Sequence, residues 1–272
     1  MFQRLCPAAL LLVVACGGPV REKNAGGSSG TQGGGKSTEY SVSAQQNYEK
    51  GMKLLDNEEW QDASKYFGFI KARFPYSKYA VLAELRLADA AFGLELFPEA
   101  IDQYKLFIKF HPTHEMVENG YAAYKIGEGY YHLTPDDWFL VPPAYEKDLS
   151  PAYDAARELQ NVLKSYPKSP FVTKAQDLYN KVAHLLASHE WYAAEFYWNR
   201  NSPMGTVLRL RTLLKKYSGV GYDEDALMLL GRAYVRVGHK DDAKKSFEKL
   251  LELYPKSQHA DEARHEIASL GG

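Results

Sequence analysis

Four stretches of this chain share one residue spacing, and that spacing restricts the fold more than any other feature. They read WQDASKYFGFIKARFPYSKYA, FPEAIDQYKLFIKFHPTHEMV, SPAYDAARELQNVLKSYPKSPFV and HKDDAKKSFEKLLELYPKSQHA. Each sets a small residue, a large apolar one four positions on, another apolar one three further, and a proline five beyond. The sets are Ala63/Phe67/Ile70/Pro75, Ala100/Tyr104/Phe107/Pro112, Ala155/Leu159/Val162/Pro167 and Ala243/Phe247/Leu250/Pro255. A fifth copy, Thr206/Leu210/Leu213, has Tyr217-Ser218-Gly219 where the proline would fall. Steps of four and three keep these residues on one helical face, and proline ends the helix by withholding a backbone donor. Twelve residues upstream stand Gly51, Ala88, Ala194 and Gly231, with Leu87, Leu230 and Tyr234 beside them. Small residues on paired helices let the backbones approach, and the large residue fills the next gap.

This pattern resembles the tetratricopeptide repeat, a helix–turn–helix unit of about 34 residues. The expected fold is an all-α solenoid of about five helix pairs with a C-terminal capping helix. The pairs fall at 44–56/59–73, 78–94/97–110, 115–133/150–165, 171–198/203–216 and 222–237/240–253. The cap, at 257–269, is polar on one side, as the last unit of a solenoid must be. Two departures stand out. TPDDWFLVPPAYEKDLSP splits the third pair and is too rich in proline to be helical, and the fourth pair opens with an unusually long helix. The organisation read from the chain is a signal peptide at 1–15, a tether at 16–43, N-terminal repeats at 44–133, an irregular insertion at 134–150 and C-terminal repeats with the cap at 151–272.

Near the N-terminus a basic Arg4 precedes LCPAALLLVVAC, an apolar run too short to span a membrane. Its end, Val13-Val14-Ala15-Cys16, resembles a bacterial lipobox, which makes Cys16 the acylated first residue of the mature chain. Gly17 follows, rather than the Asp that retains lipoproteins in the inner membrane, so lipid anchoring to the outer membrane on the periplasmic side is expected. The other cysteine, Cys6, lies inside the signal, which leaves the mature domain no thiol for a disulfide, a metal or a nucleophile. GTQGGGKST at 30–38 spells a phosphate-binding loop, Gly30 to Gly35-Lys36-Ser37. No apolar strand precedes it and no apolar helix stripe follows, so it reads as tether, and no nucleotide is expected. About 25 such residues reach roughly 25–30 Å.

Chemistry-bearing constellations are sparse. His111 and His114 bracket a helix-ending proline, and His184/His189 and His259/His265 have spacings that do not place two ligands on one helical face. Acidic pairs such as Glu58-Glu59, Asp136-Asp137 and Asp241-Asp242 fall at turns or helix starts, where capping explains them. No catalytic residue, metal site or cofactor is expected. A formal net charge of −1 supplies no basic field for nucleic acid.

RFPYSKYA, FIKFHPTHEMV, the split third repeat, LKSYPKSPFV and LASHEWYAAEFYWNRN, in that order over residues 44–255, resemble the BamD family, a lipoprotein component of the outer-membrane β-barrel assembly machinery. The resemblance implies a protein without catalytic activity that docks on the barrel-shaped insertase and helps receive unfolded outer-membrane clients. Arg200 matches the family's basic residue after the aromatic end of the long helix; Asn201 stands where the family has glycine. Trp198 and Arg200 are therefore expected to contact the insertase, Trp and Arg being enriched in binding hot spots. For clients, matching stripes on the first helices read Gln45, Tyr48, Glu49, Met52, Leu55; Leu82, Leu85, Arg86, Asp89, Phe92; and Tyr121, Tyr124, Lys125, Glu128, Tyr131. The reading makes these a concave groove in which Tyr48, Asp89, Tyr121, Tyr124 and Tyr131 take an extended segment while Arg86 and Lys125 hold its terminal carboxylate. The alternative is another periplasmic repeat scaffold, coordinating envelope constriction or peptidoglycan synthesis. It shares the generic repeats but lacks the split third repeat and the long fourth-repeat helix.

Overall fold

A computed structural model of the protein describes residues 39–135 and 144–271. Cys16, the glycine-rich stretch with Lys36, and positions 136–143 of the insertion lie outside the described residues. Among those described, the chain is an all-α solenoid. In order, its helices are α1 (Ala44–Asp56), α2 (Trp60–Arg73), α3 (Lys78–Gly93), α4 (Phe97–Phe110), the single turn α5 (Glu115–Glu118) and α6 (Tyr121–His132). After a 3-10 turn at Ala144–Glu146 come α7 (Ser150–Ser165), α8 (Val172–Asn199), α9 (Pro203–Lys216), α10 (Asp223–Val237), α11 (Lys240–Leu253) and α12 (Ala260–Leu270). Successive helices pack on each other throughout: α1 pairs with α2, α3 with α4, α6 with α7, α8 with α9 and α10 with α11, and α12 covers the end.

The repeated triplets form the core. Phe67, Tyr104, Leu159, Leu210 and Phe247 are fully buried, as are the small residues one turn before each of them. A Cβ on Gly51 would lie 2.8 Å from the Phe67 ring, and one on Gly127 2.8 Å from Leu159. Gly231 is closed off by Phe247 in the same way.

Both turn types recur with fixed geometry. After the first helix of four pairs, one residue takes the left-handed conformation: Glu58 (φ 62°), Glu95 (φ 60°), Asn201 (φ 54°) and Gly238 (φ 86°). The next amide then reaches back five residues, from Glu59 to the Leu54 carbonyl (2.8 Å), Leu96 to Ala91 (3.0 Å), Ser202 to Tyr197 (2.9 Å) and His239 to Tyr234 (2.9 Å). These are Schellman closures, which satisfy the orphan carbonyls at the helix end. Asn201 occupies a left-handed position that asparagine tolerates. After the second helices, Phe74, His111, Tyr166, Tyr217 and Tyr254 share φ near −130° and positive ψ. Four of them precede a proline, which excludes the helical region. Tyr217 has no following proline. There the buried Asp223 accepts from the Ser218 hydroxyl and from the Gly219 amide (2.7 Å), tying the loop down by side-chain means.

Three boundaries differ from expectation. The helix read at 115–133 is broken, because Gly120 is left-handed (φ 80°) with Tyr166 and Ser169, at and just past the end of α7, against it. The Asn119 side chain accepts from the Tyr121 amide (2.9 Å) and so caps the restarted helix. The closing helix begins at Ala260 rather than 257, Ser257 and His259 forming a turn first. Residues 39–43, read as tether, pack on the first pair. Tyr40 stacks on Phe69 with centroids 4.1 Å apart, and Asn47 binds the Ser41 amide (2.8 Å) and the Ser41 and Ser43 carbonyls (2.8 and 2.9 Å).

The two departures from regular repeats meet each other. His189, midway along α8, donates to the Tyr145 carbonyl in the 3-10 turn (2.6 Å), and Tyr145 packs on Tyr192 (4.8 Å between centroids). The end of the insertion thus rests on the C-terminal half of α8.

Two substitutions test this geometry. Glu95→Gly, which removes a strained left-handed Glu, should raise unfolding free energy by about 1 kcal/mol. Gly231→Val, which drives a side chain into Phe247, should lower it by about 1–3 kcal/mol. Denaturant melts followed by circular dichroism decide both.

Candidate functional site

The first helices of the first three pairs carry a polar network at the expected stripe. Asp89, on α3 beside the small Ala88, is buried among groups from four helices. Its Oδ1 accepts from the Tyr104 hydroxyl on α4 (2.6 Å) and from Tyr121 on α6 (2.8 Å), and its Oδ2 takes an ion pair from Arg86. Arg86 Nε lies 3.5 Å from the Tyr48 hydroxyl on α1, at the limit of a hydrogen bond. Burial alone would lower the Arg86 pKa, but the Asp89 charge and the Tyr48 hydroxyl outweigh it and hold the guanidinium firmly charged. Burial, then the Asp89 charge, pushes the Tyr104 and Tyr121 phenols well above their usual range, so both stay neutral donors.

One repeat on, the arrangement recurs with different parts. Lys125 pairs with Glu128 (2.6 Å) one turn away and sits 3.9 Å from the Phe92 ring centroid. Glu128 also accepts from the Tyr124 hydroxyl (2.6 Å), and the Tyr124 ring stacks on Phe171 at the start of α8 (5.3 Å). Burial raises the Tyr124 pKa, and the bond to Glu128 adds to it.

This placement corrects the stripe in two respects. Asp89 and Tyr124 are 8 % and 5 % exposed, so they belong to the packed interior and not to a contact surface. Arg86 and Lys125 each already hold an internal carboxylate, with side chains only 17 % and 22 % exposed. Tyr48, Tyr121 and Tyr131 are half-buried, and Lys181 of α8 reaches over Tyr131 (5.8 Å).

The second expected surface lies at the end of α8. Arg200 is the exposed C-cap and stacks on Phe196 (4.3 Å), one turn back, rather than on Trp198. Trp198 is half-buried and covered by Arg236 of α10 at 3.5 Å. A recess of about 330 Å³ opens there, lined by Trp198, Arg232, Val235, Arg236 and Glu266. Arg236 and Phe196 were missed in the sequence. Phe196 was readable as the residue one turn before Arg200, whereas Arg236 comes from the next pair. The histidines are engaged individually: His111 with Glu84 (2.9 Å), His259 with Asp225 (2.6 Å), and His114 as cap of the Met116 amide (3.1 Å).

Comparison with known proteins gives a match to the family described as YfiO, outer membrane lipoprotein, over residues 41–246. The chain is similar to the outer membrane protein assembly factor BamD of Rickettsia prowazekii, 26% identical over 211 residues, 78% of this chain and 80% of that one. It is likewise 26% identical over 197 residues to the factor of that name from Xylella fastidiosa strain Temecula1, covering 71% of this chain and 66% of the relative. A solved structure, the TPR2AB domain of yeast Sti1 in a complex with pHSP90, covers 84% of this chain and 82% of its own at 13% identity and TM-score 0.41. The repeat architecture rests on the helix pairing above and not on that likeness.

Two measurements follow from the network. Asp89→Ala leaves Arg86 buried without its partner and should cost about 3–5 kcal/mol. In a double-mutant cycle with Arg86→Ala the losses should fall short of additive by about 1–3 kcal/mol. For His114, burial and then the neighbouring His111 hold the pKa below the ordinary imidazole value of 6.5. A folded-state value below the unfolded one means the unfolded chain binds the proton first. The contribution of His114 is thus complete above that unfolded value and is lost as pH falls through the folded one. His114→Asn, which keeps a capping side chain, should flatten the decline in melting temperature on acidification relative to the parent chain.

Proposed function

The chain belongs to the YfiO family of outer membrane lipoproteins, and from that premise we propose that it is a non-catalytic scaffold for assembling β-barrel proteins into the outer membrane. In this reading lipid on Cys16 holds it at the periplasmic face, the end of α8 docks on the barrel insertase, and the N-terminal repeats contact unfolded clients. The observation that carries the reading is the span of the family match, which covers all five helix pairs but the last turns of α11. The name borne by the relatives, outer membrane protein assembly factor, supplies the process.

The α8 end suits docking because exposed Arg200 and Phe196 adjoin the Trp198–Arg236 recess, a combination of aromatic and guanidinium groups typical of binding hot spots. For clients, the half-buried Tyr48, Tyr121 and Tyr131 offer aromatic edges along α1 and α6. A client carboxylate would share Arg86 and Lys125 with Asp89 and Glu128, and Lys125, the more exposed, is the better placed.

Arg200→Glu should reduce recovery of a β-barrel insertase from detergent-solubilised envelope about tenfold without altering the melting temperature; undiminished recovery would sink the docking surface. Cys16→Ser should move the chain from the membrane to the soluble fraction. For the client surface, a C-terminal barrel-strand peptide is titrated as free acid and as amide. Lys125→Ala should weaken the acid form selectively, and equal weakening of both forms removes the carboxylate from the scheme.

A further inference from the structure

The C-terminal repeats carry a feature that neither the docking edge nor the client stripe uses. Between α9 and α11, the second helices of the last two pairs, runs a groove of about 790 Å³. Its floor is apolar, made by Leu214, Leu227, Leu230 and Tyr234. Its walls are cationic: Arg211, Lys215 and Lys216 on α9 face Lys245 and Lys249 on α11, with Asp242 the one acid among the lining residues. We propose that this groove is a second docking surface, one that takes an acidic segment of another polypeptide whose carboxylates flank an apolar stripe.

What sets these cations apart is that five of them line one groove, and among the described residues four lack the same-helix acid partner that several cations elsewhere in the fold have. Lys65, Arg86, Lys125, Arg157 and Arg264 each pair with an acid one turn away on their own helix. Among the described residues, Arg211, Lys215, Lys216 and Lys249 form no ion pair, and Lys245 reaches Asp242 only at 3.9 Å. A chain with 33 basic and 34 acidic residues has acids enough to match them, yet sets only Asp242 among five lining cations. Like charges across a groove repel, and an acidic occupant relieves that repulsion while its apolar side covers the floor.

Spacing and shape narrow the occupant. Arg211 and Lys215, like Lys245 and Lys249, are four residues apart, so each wall presents charges at intervals of about 6 Å. Carboxylates on alternate residues of an extended segment, or one turn apart on a helix, repeat at nearly that distance. The floor is recessed between two helices, which a polypeptide can enter and a flat bilayer surface cannot. Leu208, 60 % exposed, continues the apolar strip over α9 into a smaller recess beside Tyr197 and Gly205. The Arg200 edge belongs to α8, α10 and α12, so the two surfaces are separable by mutation.

The test is selection of a random displayed-peptide library on the full chain in detergent, followed by titration of the selected peptides. Enriched peptides should combine Asp or Glu with apolar residues and lose affinity as salt rises. Lys215→Glu with Lys249→Glu should weaken them about tenfold or more, while Arg200→Glu leaves them unchanged. All three side chains are exposed, so melting should not move. If charge reversal does lower it, Lys215→Gln with Lys249→Gln decides in its place. Enrichment of neutral or basic peptides, no enrichment, or equal binding to parent and variant overturns the proposal. So does finding that the double variant loses only binding to anionic phospholipid vesicles.

Discussion

Everything in this solenoid depends on one contact made five times, a small residue on the first helix of a pair against a large one on the second. Phe67 fills the space left by Gly51, Leu159 that left by Gly127, and Phe247 that left by Gly231. In a solenoid each unit contacts only its neighbours, so no distant part of the chain can rescue a pair whose own fit fails. Truncating a buried Phe in such a position costs about 3–5 kcal/mol, comparable to the whole stability of a small domain. The helix ends follow from the same fit. A left-handed residue turns the first helix onto the second at the distance the small residue permits, and an aromatic or histidine with strongly negative φ turns the second onto the next pair.

Where the repeat rule is broken, another interaction takes over the task. The fourth pair lacks its proline; Tyr217 still takes the backbone region of the pre-proline residues, and Asp223 ties down the differently shaped Ser218–Gly219 loop that follows it. The third pair is interrupted between its helices, and the far end of the interruption is bound to α8 through His189 and Tyr192. One helix serves both as the first member of its own pair and as the seat of the insertion.

The parts legible in the sequence were those whose causes are local. The triplets, the prolines and the apolar period are written within single helices, and the boundaries of α1, α2, α4, α7, α9 and α11 lie within about a residue of expectation. What was not legible depends on residues far along the chain. Gly120 breaks a helix because Tyr166 and Ser169 lie against it, and Tyr124 is buried because Phe171 stacks on it. The stripe on α1, α3 and α6 was correct as a helical face but could not reveal which side of that face the neighbouring helices cover. Arg86 and Asp89 are three residues apart, so their pairing was available as a possibility, whereas the Tyr104 and Tyr121 hydroxyls that complete the site come from two other helices.

That network also answers a problem inherent in repeats. Successive pairs present nearly the same apolar face, so the ladder of Ala, Gly, Leu and Phe distinguishes poorly between a helix and its counterpart one unit away. Asp89 does distinguish them. Its three partners sit on α3, α4 and α6, and among the described residues no other pair supplies that set. Displacing α4 or α6 by one unit would leave a buried carboxylate, a guanidinium and two hydroxyls short of partners, at about 1–3 kcal/mol for each neutral group and more for the charges. Glu190 of α8, 4 % exposed and paired with Arg209 of α9 (3.3 Å), ties the fourth pair to itself in the same manner. The apolar ladder supplies the bulk of the stability, and the few buried acids decide which helix lies against which.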